Sequence, residues 1–200
     1  LQEETGSTTY NRIKVIKELE KLGAEVDYIS ADVTDYNKME QVFRDLRNQF
    51  KAVNGIIHCA GIINPNPIKD KLEEEFVSGL APKITGTWIL NEVTKEDKLD
   101  FLILFSSIST LLCSRGLSDY AAANTYLNAF ADQSRTEGRN TFAINWPAWT
   151  EAGMAATEEN VETIFKGVNN ELALACFEEL LNKGQKNLIV GELNFNSRYI

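Results

Sequence analysis

Short apolar segments alternate with longer amphipathic segments along the sequence of 200 residues. The segment Phe-Leu-Ile-Leu-Phe at 101–105 is apolar at every position, which is typical of a strand buried on both faces of a parallel sheet. Regular alternation of such strands with helices predicts an α/β fold, a doubly wound parallel sheet with helices on both faces. The predicted strands are residues 24–30, 55–61, 101–105, 141–145 and 187–190.

Five amphipathic segments are predicted to form helices, and local signals set their ends. Gly23 follows the first segment and is a favourable residue just after a helix. Thr34 or Asp35 is the expected N-cap of the second. Because proline disrupts a helix interior, we expect the third region to form two helices, the second starting at Pro82 and carrying Lys83 in its first turns. The helical regions are residues 11–22, 36–50, 71–94, 119–137 and 170–181.

The net charge of −9 limits the classes of partner. Nucleic acids bind clustered lysine and arginine side chains, so no nucleic-acid-binding face is expected. No segment approaches the roughly 18 apolar residues of a membrane span, and the N-terminal residues lack the basic and apolar regions of a signal peptide. We therefore expect a cytoplasmic protein with no membrane partner.

The three cysteines are widely spaced, which favours reduced thiols over a disulfide framework. No spacing typical of a metal-ligand cluster is found in the sequence, so no metal is expected. His58 is the single histidine, and its position at the end of an apolar strand favours a structural role.

Small and polar residues follow the predicted strands at the points where the strands end. In an open parallel sheet, ligands bind beyond the carboxyl ends of the strands. Each of these residues has an ordinary structural explanation, but their joint occurrence at four strand ends predicts an extended ligand site. The four groups are Asp32-Val33, Cys59-Ala60-Gly61, Ser106-Ser107 and Asn145-Trp146-Pro147.

Tyr120 and Asn124 lie one turn apart near the start of the helix opened by Asp119, so their side chains project from the same face. A phenol has a pKa of roughly 10 and is a weak proton donor or acceptor at neutral pH. It becomes useful when a fixed cation stabilises the phenolate and a second polar group positions a substrate oxygen. Lys83 is the candidate cation, and Ser107, or failing it Ser106, is the candidate polar group.

These features together resemble the catalytic half of the ketoreductase domains of modular polyketide synthases, a branch of the short-chain dehydrogenase/reductase superfamily with a Rossmann-like fold. The resemblance covers residues 18–193. The matching segments are Ala-Asp-Val-Thr-Asp at 31–35, His-Cys-Ala-Gly at 58–61, Leu-Ala-Pro-Lys-Ile-Thr-Gly at 80–86, Leu-Phe-Ser-Ser at 104–107, Tyr-Ala-Ala-Ala-Asn at 120–124 and Asn-Trp-Pro-Ala-Trp at 145–149.

The resemblance implies reduction of the ketone of an acyl chain by NADPH, the chain being held as a thioester on an acyl carrier protein. Other domains of a multidomain synthase are further implied partners. Tyr120 would supply the proton, and Ser107 would orient the carbonyl. Lys83 would favour the phenolate and hold the cofactor ribose, and Asn124 would position a water molecule. Ordinary short-chain reductases have lysine in place of Asn124 and asparagine near Lys83, so the exchanged pair favours the synthase branch.

The resemblance also implies contacts with the cofactor and the substrate. Met154 would border the substrate as part of a lid formed by residues 150–170, and Trp149 would form a wall of the substrate site beside that lid. The implied cofactor-binding residues are Asp32, Val33, Cys59, Ala60, Gly61, Lys83, Tyr120 and Pro147.

The sequence departs from this family in its cofactor loop. It contains no Gly-x-Gly-x-x-Gly for the pyrophosphate and lacks the basic residue expected for the 2′-phosphate. The first two strands of the family's sheet are also lacking. We therefore expect residues 1–200 to be a fragment of a single catalytic ketoreductase domain that would neither fold well alone nor bind NADPH tightly.

Two alternative functions remain compatible with the sequence. One is a free-standing short-chain carbonyl reductase acting on soluble substrates, which Asn124 disfavours. The other is a non-catalytic scaffold that keeps the fold without turnover, which the complete set of polar residues disfavours.

Overall fold

The computed structural model describes residues 8–154, 164–183 and 187–197. Helices and strands alternate along most of the chain, as the hydrophobic pattern predicts. A single 3₁₀ turn, Ile108–Thr110, follows the second strand. The elements in chain order are α1 (Thr8–Lys21), α2 (Tyr36–Phe50), β1 (Gly55–His58), α3 (Glu73–Val93), β2 (Phe101–Ser107), α4 (Ser118–Thr136), β3 (Thr141–Trp146), α5 (Asn170–Lys183) and β4 (Leu188–Ile189).

Four parallel strands form one sheet in the order β1-β2-β3-β4. Each connection between neighbouring strands contains a helix, which is the doubly wound arrangement expected for parallel strands. The register places Ser106 opposite Asn145 and Ser107 opposite Trp146, so β2 and β3 end side by side. The predicted fold class is confirmed.

The chain divides into two compact units, residues 1–31 and residues 32–200. In the first unit, α1 is followed by Gly23, whose φ of 91° allows the turn that ends the helix. The prediction of a strand at residues 24–30 is wrong, because this segment has no regular secondary structure. A strand requires hydrogen bonds to a neighbouring strand, and none of the described strands pairs with this segment.

Two apolar layers cover the sheet of the second unit. Side chains of successive strand residues point to opposite faces. Ile103 and Ile144 therefore join a core layer with Leu180 of α5. Leu102 packs on the other face against Leu127 of α4. This double burial explains why the strand sequence is apolar at every position.

Helix α3 runs without a break through Pro82, so the prediction of two separate helices is wrong. Proline in a helix interior costs about 3 kcal/mol through a lost hydrogen bond and a steric clash. Packing offsets this cost, because Gly79, Lys83 and Gly86 lie on one face and are all buried. The carbonyl of Pro82 also accepts a hydrogen bond of 3.1 Å from Nε2 of His58.

The helix starts are only partly predictable from capping residues. Asp35 is the N-cap of α2, and its carboxylate accepts a hydrogen bond of 3.0 Å from the backbone of Lys38. Helix α4 instead starts at Ser118 without a side-chain cap, and Asp119 is buried in its first turn. No helix in the described part of the chain is long and apolar enough to cross a membrane.

Candidate functional site

The carboxyl ends of β1, β2 and β3 meet at one edge of the sheet. The three strands end at His58, Ser107 and Trp146 respectively. Because the strands are parallel and in register, the residues that follow them gather at the same edge. The sheet therefore brings three of the four predicted groups to one region, and the fourth, Asp32-Val33, follows no strand of this sheet.

Lys83 reaches this edge from the buried face of α3. Only 3% of the residue is exposed, and its Nζ donates a hydrogen bond of 2.7 Å to the carbonyl of Phe105 on β2. Burial disfavours the charged amine and lowers the pKa of Lys83 to about 8, while Cys59 acts weakly in the opposite direction. The lysine is thus a cation near neutral pH that can lose its charge in mildly basic solution.

Gly61 lies directly beside the Lys83 side chain. A Cβ atom on residue 61 would come within 2.9 Å of Cε of Lys83 and 3.9 Å of Cε of Met154. The absence of a side chain at residue 61 therefore keeps open the space around the amine. Met154 is about half exposed and borders the same space.

Ser106 and Ser107 point to different environments, which distinguishes the two candidates. Ser106 is 4% exposed, and its Oγ lies 3.1 Å from the Asn124 carbonyl and 3.0 Å from Oδ1 of Asn145, two acceptors that share its one hydroxyl proton. Ser107 is half-buried, and its Oγ accepts a hydrogen bond of 3.1 Å from the backbone of Ser109. Ser106 therefore belongs to a buried network, and Ser107 is left at the rim of the site.

Asn145, which the sequence places only among the strand-end residues of an extended ligand site, is the centre of that buried network. Its Oδ1 accepts hydrogen bonds from Ser106, Thr110 and Asn128 at 2.9–3.0 Å. Its Nδ2 donates to the carbonyl of Leu188 on β4 at 3.1 Å. The asparagine thus joins α4, β2 and β4. An asparagine at the end of an otherwise apolar strand is the sequence signal that could have revealed it, since a buried amide needs hydrogen-bond partners.

Tyr120 is half-buried beside the side chains of Ser107 and Asn124. Burial raises the pKa of the Tyr120 phenol, and hydrogen bonding by Ser107 and then Asn124 counteracts part of that rise. The phenol is therefore protonated at neutral pH. In the described part of the chain, no hydrogen bond joins it to Lys83, whose amine is bonded to β2.

Asn124 follows Tyr120 by one turn of α4 and is completely buried. Its Nδ2 donates a hydrogen bond of 2.7 Å to the carbonyl of Tyr120. Its Oδ1 is buried and has no hydrogen-bond partner among the described residues. An unpartnered buried acceptor next to the phenol is a suitable place for a bound water molecule.

The remaining predicted cofactor residues occupy varied positions around this edge. Asp32 is exposed, and its Oδ1 accepts two hydrogen bonds from Thr34, which lower the pKa of the carboxyl group. Val33 is half-buried and packs against Gly86 of α3. Three further residues follow strands directly: Cys59 and Ala60, which are exposed, and Pro147, which is buried.

Trp149 is half-buried and packs among other aromatic side chains. Its ring lies 5.1 Å from that of Trp146 and 6.4 Å from that of Phe105. Its backbone forms a bridge with Val168. The tryptophan therefore belongs mainly to an aromatic cluster. Of the lid predicted at residues 150–170, residues 155–163 lie outside the described part of the chain.

His58 is buried at the end of β1, with 3% of the residue exposed. Burial, and to a smaller extent the positive charge of Lys83, lower the pKa of His58 to about 4, and the hydrogen bond to Pro82 partly opposes this shift. Since a carbonyl can only accept, Nε2 carries the proton in this bond. The imidazole is neutral at neutral pH and links β1 to α3.

The fold and the polar edge define an α/β protein with an open parallel sheet, a class in which ligands bind beyond the carboxyl ends of the strands. Residues 4–151 match the family model described as the KR domain. The chain belongs to this family, the ketoreductase domains of polyketide synthases.

Curated relatives are multidomain synthases. The chain is 37% identical to polyketide synthase PksM of Bacillus subtilis (strain 168) over 98% of its own length, which is 5% of that protein. It is 32% identical to a 6-methylsalicylic acid synthase of Arthrobotrys oligospora over 79% of its length, which is 9% of that protein. The chain therefore spans a small part of the curated relatives it matches.

Solved ketoreductase structures are similar over most of the chain. A ketoreductase domain from the bacillaene assembly line matches with a TM-score of 0.85 and 30% identity, covering 96% of this chain and 48% of that one. An N-terminal ketoreductase from the macrolactin assembly line matches with a TM-score of 0.81 and 30% identity, covering 94% and 38%. These similarities support the Rossmann-type assignment.

Proposed function

We propose that this chain provides the catalytic residues for NADPH-dependent reduction of a ketoacyl thioester held on an acyl carrier protein. Family membership supports the coarser statement, an oxidoreductase that acts on a carbonyl group during polyketide synthesis with a nicotinamide cofactor. The preference for NADPH and the carrier-bound substrate belong to the proposal. The observation that carries it is the cluster of Ser107, Tyr120 and Asn124 at the strand edge to which Lys83 is anchored.

Tyr120 is suited to donate the proton that completes reduction of a ketone. The reaction leaves negative charge on the carbonyl oxygen, which requires hydrogen-bond donors aimed at that oxygen. The raised pKa keeps the phenol protonated in the resting protein. Ser107 lies beside the phenol and can donate a second hydrogen bond to the same oxygen. The pair would bind the carbonyl, orient it and neutralise the charge that develops.

Lys83 is suited to stabilise the phenolate that proton donation leaves behind. Its burial means that few water molecules screen its charge, so the ammonium acts more strongly than an exposed one. The charge is needed only as the phenol loses its proton, which favours the transition state over the ground state. This role is compatible with a hydrogen bond to Phe105 in the resting protein.

The residues present fit the nicotinamide and ribose portion of the cofactor. Gly61 leaves space beside the buried amine of Lys83, which is a donor for ribose hydroxyl groups. When bound there, the nicotinamide would supply a hydride to the carbonyl carbon. Asp32 and Val33 would border the adenine, and Pro147 would border the nicotinamide. The sequence contains no glycine-rich turn for the pyrophosphate, so the fit covers one part of the cofactor.

Asn124 would reload the proton through a water molecule. Its buried Oδ1 can accept a hydrogen bond from that water next to the phenol. Met154, which borders the space around Lys83, would contact the substrate. These roles give each of the four polar residues a distinct task.

The partners follow from the family. Curated relatives are multidomain synthases, which supports other synthase domains as neighbours in the same protein. A carrier protein bearing the ketoacyl chain is the proposed substrate partner. We also propose a cytoplasmic location, since the three cysteines are free thiols.

Tyr120→Phe tests the proposal, with Tyr126→Phe as the matched control on the same helix. NADPH oxidation is followed with an acetoacetyl thioester, using the protein at its full natural length. Loss of the proton donor is expected to lower kcat about 10²–10⁴-fold. Tyr126 packs against Phe130 with ring centroids 5.9 Å apart, and its replacement should leave kcat nearly unchanged. Wild-type turnover in Tyr120→Phe would refute the proposal.

A further inference from the structure

Asp119, which directly precedes Tyr120 in the sequence, is one member of a buried ion pair. Nζ of Lys71 is 2.7 Å from Oδ1 of Asp119, and the two side chains are 1% and 2% exposed. Asp119 is in the first turn of α4, directly preceding Tyr120. Charged side chains are rarely buried this completely, because their removal from water is costly unless each charge is compensated.

The segment that carries Lys71 is attached to the start of α4 at a second point. The backbone N–H of Asn66 donates a hydrogen bond of 3.1 Å to the carbonyl of Gly116, two residues before Ser118. Nζ of Lys71 also donates to the carbonyl of Asn64 at 2.8 Å. Residues 64–71 therefore form a bracket that holds both the loop before α4 and its first turn.

Helix α3 is shaped to accept the carboxylate of Asp119. A Cβ atom on Gly79 would clash with Oδ2 of Asp119. Glycine in a helix interior is unfavourable relative to alanine, and here it allows the acidic side chain to lie against the helix backbone. The two oxygens of Asp119 thus contact different elements, since Oδ1 faces Lys71 and Oδ2 faces Gly79.

We propose that the ion pair between Lys71 and Asp119 positions Tyr120 for proton transfer. This inference rests on the proposed ketone reduction. Helix α4 begins without a side-chain cap, so its first turn depends on contacts from other elements. The bracket supplies those contacts at the residue next to the phenol. Small displacements of a reacting group lower rates strongly, by about 10²-fold for an error of about 1 Å. Asp119 and Lys71 are accordingly positioning residues that act through Tyr120.

The test is a double-mutant cycle that combines Asp119→Asn with Tyr120→Phe in the protein at its full natural length. Asp119→Asn alone is expected to lower kcat about tenfold or more, with the Kd for NADPH changed less than about twofold. In the Tyr120→Phe protein the same substitution should cause no further loss of the residual kcat, because its effect passes through the missing hydroxyl. Equal losses in both backgrounds, or no loss in either, would overturn the inference.

Gly79→Ala provides a second variant that keeps both charges. Alanine should displace the carboxylate of Asp119 and lower kcat in the same way, with the same dependence on Tyr120. Unchanged kcat in Gly79→Ala would also overturn the inference.

Asp97→Asn is the matched control. Asp97 forms a partly buried ion pair with Arg47, with Nη2 and Oδ2 2.7 Å apart. This pair lies past the other end of α3, a helix of 21 residues and about 30 Å. Loss of the ion pair between Arg47 and Asp97 should leave kcat within about twofold of the wild-type value. A tenfold loss of kcat in Asp97→Asn would show a general effect of ion-pair removal and contradict positioning. Wild-type turnover in Tyr120→Phe alone would instead remove the proposed reaction itself.

Discussion

The charge of Lys83 should set the upper pH limit of activity. Burial lowers the pKa of its amine from 10.5 to about 8. Each pKa unit corresponds to about 1.4 kcal/mol, so the buried ammonium is less stable than an exposed one by about 3 kcal/mol. About half of the molecules lose this charge at about pH 8. Since the ammonium is proposed to stabilise the phenolate of Tyr120, kcat/KM for NADPH should decrease above that pH.

Replacement of Lys83 separates the charge from the rest of the site. Lys83→Met should lower kcat/KM about 10²-fold or more at neutral pH and abolish the decrease near pH 8. Lys83→Arg keeps a charge that does not titrate in this range, so whatever activity remains should persist to higher pH. The measurement is kcat/KM for NADPH as a function of pH, at a saturating concentration of an acetoacetyl thioester.

Stability provides an independent check with a defined sign. Between about pH 8 and pH 10.5 the unfolded protein binds a proton at Lys83 that the folded protein does not. The cost of the buried charge is fully present below pH 8 and disappears as the pH rises through 10.5, so wild type should gain stability relative to Lys83→Met over this range. A decrease of kcat/KM near pH 8 that persists unchanged in both Lys83→Met and Lys83→Arg would refute the assignment of this titration to Lys83.

Two further predictions concern the neighbours of this lysine. The pKa of His58 is about 4 in the folded protein and 6.5 in the unfolded protein, so the unfolded protein binds a proton first as the pH falls. The free energy of unfolding of wild type should therefore decrease by about 3 kcal/mol between a pH above 6.5 and a pH below 4, relative to His58→Gln. Urea unfolding at a series of pH values measures this difference. Parallel pH dependence in the two proteins would contradict this. Ser107→Ala should lower kcat about 10²–10³-fold with little change in stability, whereas Ser106→Ala should reduce the free energy of unfolding by about 1–3 kcal/mol with a smaller effect on kcat. The reverse pattern, measured by steady-state kinetics and urea unfolding, would assign the carbonyl contact to Ser106.

The sequence predicts the sheet well where burial dominates. The all-apolar segment that begins at Phe101 is the central strand β2, since a strand buried on both faces needs apolar side chains at every position. The carboxyl edge follows from strand direction alone, so the sequence is enough to place Ser107 there. Tyr120 is indicated by a different pattern, its spacing of one helical turn from Asn124. These inferences depend on local patterns that tertiary packing reinforces.

Other features depend on contacts that no local pattern encodes. Pro82 predicts a helix break, yet packing on both sides of it keeps α3 continuous. Residues 24–30 have the composition of a strand, but a strand forms only with a neighbour. The ion pair between Lys71 and Asp119 joins residues far apart in sequence. The sequence predicts for Asp119 only a position at the start of a helix, which does not require a charged partner. Local propensity yields to tertiary contacts in all three cases.

Transfer of deuterium to the carbonyl carbon of an acetoacetyl thioester, from NADPH that carries deuterium in place of both hydrogens on the nicotinamide C4, is the most direct test of the central claim. Mass spectrometry of the hydroxyacyl product should show one deuterium at that carbon in wild type, and product formation should fall about 10²–10⁴-fold in Tyr120→Phe. A product without deuterium, or equal product formation by the two proteins, would contradict reduction of a ketone at the site formed by Lys83, Ser107 and Tyr120.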